Sequence, residues 1–129
     1  MDISKKISIL MGIYNCASTL NEAIDSIIEQ TYPNWEFIIC DDGSQDNSYE
    51  IAKEYEKADP ERFMVIKNSE NKGLNATLNR CLKIATGEYV ARMDGDDLCD
   101  PTRFQKEADF LNRHPEYAIV STHMTTFDE

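Results

Sequence analysis

No apolar run in this chain is long enough to cross a bilayer. Nor does one near Met1–Lys6 have the length of a secretory signal. There is no CxxC pair, and Cys16, Cys40, Cys81 and Cys99 show no zinc-ligand spacing. These four read as reduced structural thiols of a cytoplasm-like compartment, with the inner membrane face as an alternative location. His114 and His123 have no partners at metal-ligand spacing. Positive charge is scarce: Lys plus Arg is 13 against 24 Asp plus Glu, a net charge of −11. Nucleic-acid binding needs basic patches that release counterions, so that class is excluded. Repeats, low-complexity tracts and linkers are absent too. With 129 residues, 41% of them hydrophobic, the chain suits one soluble domain spanning 1–129.

What is present is an alternation of two periodicities. Ile7–Met11, Glu36–Cys40, Phe63–Ile66, Glu88–Met93 and Tyr117–Thr122 read as strands. Between them, apolar residues recur at helical spacing. The first set is Leu20, Ala23, Ile24, Ile27 and Ile28, with Thr19 and Glu22 at capping-box spacing. The second is Ile51, Ala52 and Tyr55, with Asp46 as a cap. The third is Leu74, Leu78, Cys81, Leu82 and Ala85, opened by Gly73 and closed by Gly87. A fourth helix has Pro101 in its first turn and runs to about Arg113. Strand–helix alternation predicts an α/β fold with a mostly parallel, helix-covered sheet. A final strand with no closing helix suggests a fold truncated at its C-terminus.

Two acidic clusters stand at ends of apolar strands: Asp41-Asp42-Gly43-Ser44 and Asp94-Gly95-Asp96-Asp97. Carboxylates crowd against their own repulsion where a cation will sit among them. Asp94 and Asp96 make a DxD, to which Asp97 adds a carboxylate. Mg²⁺ or Mn²⁺ favours such oxygen ligands and leaves coordination positions for phosphate. An EF-hand is excluded, because counting from Asp94 puts Cys99 at the turn glycine and Gln105 at the closing glutamate. Asp41 or Asp42 can accept an N–H from a uracil-like base edge, or the segment can be a helix-entry turn. Tyr14 can stack on a base or pack in the core, and Gly12 permits close backbone approach. Asn71-Lys72-Gly73 precedes a helix N-terminus, which is either a phosphate site or a simple turn.

Taken in order, these segments resemble family 2 glycosyltransferases. The similar stretches are Ile7–Asn15, Ser26–Tyr32, Trp35–Ser44, Asn71-Lys72-Gly73, Asn79, Thr86–Val90 and Asp94–Asp97. Gly12 departs from the frequent Pro or Thr, and Cys81 from a small residue. The resemblance implies a Rossmann-like GT-A fold that binds a nucleotide-diphospho-sugar donor, with UDP-sugar the expected donor. It implies that Gly12 and Tyr14 line the nucleoside pocket and that Asp42, helped by Asp41, contacts the uracil. Asn71 and Gly73 would serve the donor as well. Asp94 would share the acidic site, Asp96 would lie near the ribose or diphosphate, and Asp96 and Asp97 would hold Mn²⁺ or Mg²⁺, Asp97 most directly. The implied reaction is inverting, metal-dependent sugar transfer to a hydroxyl of a carbohydrate or lipid-linked acceptor, as in cell-wall or polysaccharide synthesis. Peripheral membrane association would run through regions outside this chain. The general base is expected beyond Glu129, so none is assigned within 1–129.

Two rival readings differ in class. A non-catalytic sugar-nucleotide-binding module would share the donor site but show no turnover. A phospho-acceptor receiver domain needs its acidic pair after the first strand, where this chain has Gly12-Ile13-Tyr14.

Overall fold

The structure, a computed structural model, describes residues 2–114. The proposed fifth strand, Tyr117–Thr122, lies outside them. Eight elements alternate: β1 (Ile7–Ile13), α1 (Ala17–Ile28), β2 (Trp35–Asp41), α2 (Ser48–Ala58), β3 (Phe63–Lys67), α3 (Leu74–Ile84), β4 (Tyr89–Asp94) and α4 (Arg103–Arg113). The strands form one sheet in the order β3-β2-β1-β4, and every described pairing is parallel. The chain winds outward from β1 to β3, then crosses back to place β4 on the other side of β1. That reversal is a topological switch point, where open α/β sheets leave a crevice at the carboxyl ends of the strands.

The period of two along each strand feeds two apolar layers. Ile7, Ile9, Met11 and Ile13 of β1, with Trp35, Phe37 and Ile39 of β2, meet Leu20, Ala23, Ile24 and Ile27 of α1, Ala52 of α2, and Phe104 and Ala108 of α4. Leu10, Ile38 and Cys40 point to the opposite face, against Cys81 and Leu78 of α3. Both faces of the sheet are covered, which is why its strands read as nearly continuous apolar runs.

Two helix starts differ from the sequence expectation. α1 begins at Ala17, two residues before Thr19, and its N-terminal N–H groups are capped from elsewhere in the fold. Asp46 Oδ2 accepts the Ala17 N–H at 3.1 Å, and Ser48 Oγ accepts the Cys16 N–H at 3.0 Å. With those donors satisfied, Thr19 and Glu22 form no capping box. α4 begins at Arg103, so Pro101 precedes the helix and does not lie in its first turn. Asp46 does serve the start of α2, accepting the Ser48 N–H at 3.0 Å. Gly73 opens α3 with φ +94°. At the end of α4, His114 packs its ring on Phe110 with centroids 4.5 Å apart.

Candidate functional site

The register brings the two acidic clusters to one edge. Gly12 of β1 lies beside Cys40 on one flank and Asp94 on the other. The residues following β2 and β4 therefore emerge either side of the β1 terminus. Two hollows open there. One, of about 240 Å³, is lined by Gly12, Ile13, Tyr14, Asp42, Asn71, Gly73, Leu74 and Thr77. The other, of about 430 Å³, is bordered by Gly12, Tyr14, Asn15, Cys16, Thr19, Asp94 and Asp96, among others. Gly12 and Tyr14 belong to both, so the hollows adjoin along the end of β1. Tyr14 stands 47% exposed between them.

Asp42 is built into its hollow. It is 5% exposed, and its carboxylate accepts the Lys72 N–H at 2.7 Å, the Gly73 N–H at 3.0 Å and the Asn68 side-chain amide at 2.9 Å. Burial alone would raise this carboxyl; the hydrogen bonds from Lys72, Asn68 and Gly73 outweigh it and hold the group below its ordinary value. Two of the N–H groups ahead of α3 are thus given to Asp42. Oδ1 accepts from Asn68 and Lys72 and Oδ2 from Gly73, and Thr77 also favours the charged form. Gly43 makes the turn with φ +79°, and a Cβ there would stand 2.9 Å from the Asn71 nitrogen.

Asp41 is placed differently. It is 2% exposed, accepts the Ser44 N–H at 2.9 Å, and borders a separate hollow with Ser44, Asp46, Tyr49 and Lys67. Asp42 and Asp41 therefore face different surroundings although they are neighbours in sequence.

At the other flank, Asp94, Asp96 and Asp97 each offer a carboxylate oxygen, and these oxygens lie within 4.8 Å of one another. The turn closes through the Asp97 N–H to the Asp94 carbonyl at 3.1 Å, and Asp97 Oδ2 accepts the Asp94 N–H at 3.2 Å. Burial pushes the Asp94 carboxyl up; the Arg92 guanidinium, 3.6 Å away, opposes this, and the charges of Asp97 and Asp96 add to it. An all-oxygen donor set this compact, strained by its own charge, fits a hard divalent cation. Gly95 fits because its neighbours leave no room: a Cβ there would meet Cys16 Sγ at 2.6 Å. The Gly95 carbonyl accepts the Thr19 hydroxyl at 3.0 Å, fastening the turn to α1.

The fold thus gathers Gly12, Tyr14, Asp42, Asn71, Gly73, Asp94, Asp96 and Asp97 on one edge and turns Asp41 to another hollow. Asn68 and Thr77 were not singled out in the sequence, and Thr19 only as a helix cap. Asn68 had a readable signal: it is the polar residue just past β3, at the same end of the sheet as the acidic clusters.

Comparison with known proteins agrees with this geometry. The pattern described as Glycosyl transferase family 2 matches residues 8–129. EpsE of Bacillus subtilis (strain 168) is 50% identical over 129 residues, covering 100% of this chain and 46% of that protein. The Escherichia coli UDP-Glc:alpha-D-GlcNAc-diphosphoundecaprenol beta-1,3-glucosyltransferase WfaP is 38% identical over 117 residues, covering 91% and 45%. The chain therefore spans a little under half the length of these relatives. Among solved structures, S. aureus TarS 1-349 in complex with UDP-GlcNAc superposes with a TM-score of 0.79 at 27% identity, over 85% of this chain and 32% of that one. The mannosyltransferase PcManGT from Pyrobaculum calidifontis, in complex with GDP-Man and Mn²⁺, gives 0.76 at 27% identity, over 81% and 32%. The sheet shares the GT-A fold of these neighbours. Motif order, strand order and a pattern match over nearly the whole length agree: this chain belongs to glycosyl transferase family 2.

Proposed function

We propose that residues 1–129 form the donor-binding portion of a metal-dependent, inverting glycosyltransferase that uses a UDP-sugar. The observation that carries this reading is the adjoining pair of hollows at the end of β1, one enclosing Asp42 and the other bordered by the acidic turn. A nucleoside diphosphate has the matching division: a flat base with N–H donors, then a doubly charged pyrophosphate.

In this reading Tyr14 stacks on the base and Gly12 lets it approach the end of β1. Asp42 Oδ2, which accepts one backbone N–H, takes an N–H of the base edge, while Asn68, Lys72 and Gly73 hold that carboxylate in place. Asp96 and Asp97, with Asp94 beside them, hold Mn²⁺ or Mg²⁺. When bound, such an ion stabilises the negative charge that develops on the leaving nucleotide. Thr19 keeps the acidic turn against α1. An acceptor hydroxyl on a carbohydrate or lipid-linked carrier attacks the anomeric carbon from the far side. The base that deprotonates it is assigned to no residue of this chain. Among the described residues no helix is long and apolar enough to cross a membrane. The reading places the enzyme in the cytoplasm, where nucleotide-sugars are available, in cell-wall or polysaccharide synthesis.

Isothermal calorimetry with UDP tests this. Binding should be tight with Mn²⁺ and at least 10-fold weaker in chelator, and Asp97→Ala should remove the metal-dependent part. Equal affinity with and without metal would refute the metal role. Donor binding without sugar transfer by the intact protein would favour the non-catalytic module.

A further inference from the structure

Ser26 and Gln30 line neither hollow, yet their polar groups are spent on the chain just past the acidic turn. Gln30 is 8% exposed. Its Nε2 donates to the Asp100 carbonyl at 2.6 Å and the Ser26 carbonyl at 3.3 Å, and its Oε1 accepts the Phe104 N–H at 3.1 Å. Ser26 Oγ accepts the Cys99 N–H at 3.0 Å. Alongside, the Thr31 N–H donates to the Pro101 carbonyl at 2.8 Å, and the Thr31 hydroxyl donates to Gln105 at 2.9 Å. Ser26 of α1, with Gln30 and Thr31 just past its end, thus grips four backbone sites: the Cys99 N–H, the Asp100 and Pro101 carbonyls, and the Phe104 N–H at the start of α4.

The grip has a geometric consequence. Asp94 is the last residue of β4 and is fixed beside Gly12 in the sheet. Cys99 is fixed to Ser26. The acidic turn is a short span between two anchors, and Leu98, 61% exposed, is the one residue between Asp97 and the second anchor. Three carboxylates that repel one another would splay if either end were slack. Held at both ends, their oxygens stay within 4.8 Å.

We propose that Ser26 and Gln30 are positioning residues for the Asp94–Asp97 turn, setting the spacing of its carboxylates and hence its affinity for a divalent cation. This rests on the reading of that turn as a cation site. Neither residue would touch the ion. Both act through the backbone that carries its ligands, as the outer hydrogen bonds of metal sites orient their inner ligands.

The test is Mn²⁺ binding by the purified protein, read by electron paramagnetic resonance, beside metal-free uridine binding by calorimetry. Gln30→Glu keeps the shape and Oε1 but loses both donated bonds. Ser26→Ala removes one hydroxyl and serves if the first variant fails to fold. Mn²⁺ affinity should fall roughly 10-fold in each, a typical loss for outer-shell partners, while uridine binding without metal is unchanged. Ser26→Thr, which keeps the hydroxyl, should retain wild-type Mn²⁺ affinity. Unaltered Mn²⁺ affinity in the folded variants would overturn the proposal, as would parallel loss of uridine binding, which marks general loosening. If the wild-type protein itself binds no Mn²⁺, the cation reading of the turn fails first, and this proposal with it.

Discussion

The Asp42 carboxylate accepts the backbone N–H of Gly73 at 3.0 Å, so a side chain at the end of β2 fixes the residue from which α3 starts. Hydrogen bonds to a charged group contribute about 1.5–3 kcal/mol each. Asp42→Ala should therefore loosen the 71–73 segment and remove the proposed base contact together. Uridine nucleotides should bind about 10–100-fold more weakly, and guanosine nucleotides should lose less. Competition calorimetry with both series checks this, and an unchanged base preference would remove Asp42 from base reading.

The same bonds make stability depend on acid. Asp42 is held below its ordinary value in the folded chain, despite a burial effect that pushes the other way. The unfolded chain therefore binds this proton first as pH falls. The stabilisation is complete above the unfolded carboxylate value of about 3.9 and is lost as pH drops through the lower folded value. Acid unfolding followed by circular dichroism should be less steep for Asp42→Asn in that window. Superimposable acid limbs would mean that Asp42 does not contribute.

At the acidic turn the sign is reversed. Burial, with the charges of Asp96 and Asp97, raises the Asp94 carboxyl, so its ionised form opposes folding near neutral pH. Asp94→Asn should raise the metal-free melting temperature by roughly 2–4 °C, the equivalent of somewhat under 1 kcal/mol for a domain of this size. It should also abolish the further rise on adding Mn²⁺. A variant less stable than wild type without metal would show that Arg92 already compensates the crowding.

Gly12 offers a steric test of the proposed base pocket. A Cβ there would stand 3.0 Å from Leu74 Cδ1 and 3.2 Å from Thr77 Cγ2. Gly12→Val should fill the mouth of the hollow, cost about 1–3 kcal/mol in overpacking and reduce UDP affinity more than 10-fold. Full affinity in a folded Gly12→Val protein would put the base elsewhere.

Gly87, at the opposite edge of the sheet, supplies the control. Its missing Cβ makes room for Ser8 Oγ at 2.6 Å and the Lys6 carbonyl at 2.7 Å, contacts too short for any side chain. Gly87→Ala should lower urea stability by about 1–3 kcal/mol and leave the UDP affinity of the folded fraction unchanged. A loss of affinity in that fraction would couple the two edges.

Strands were legible because both faces of the sheet are covered, which leaves near-continuous apolar runs such as Phe37–Cys40. Their ends were read short at Asp41 and Asp94, since a charged residue breaks the pattern although its backbone still pairs. The strand order depends on pairings between distant segments, which periodicity does not record. Thr19 and Glu22 misled for the same reason: α1 is capped by Asp46 and Ser48, far along the chain. Ser26–Tyr32 was visible only as a resemblance without a role, because the partners of Ser26 and Gln30 lie at residues 99–104. The carboxylates of the candidate site were legible as clusters, since like charges at strand ends need a reason to coexist. Thr19 and Thr77, which hydrogen-bond within the candidate site, carry no charge to betray them, and Asn68 had only its place just past β3.

The contact between Gly95 and Cys16 constrains how such chains can diverge. With Cys16 Sγ 2.6 Å from where a Cβ would stand, a side chain at 95 needs Cys16 to turn away or to be replaced by a smaller residue. The two positions are therefore coupled: a smaller residue at 16 makes room for a side chain at 95.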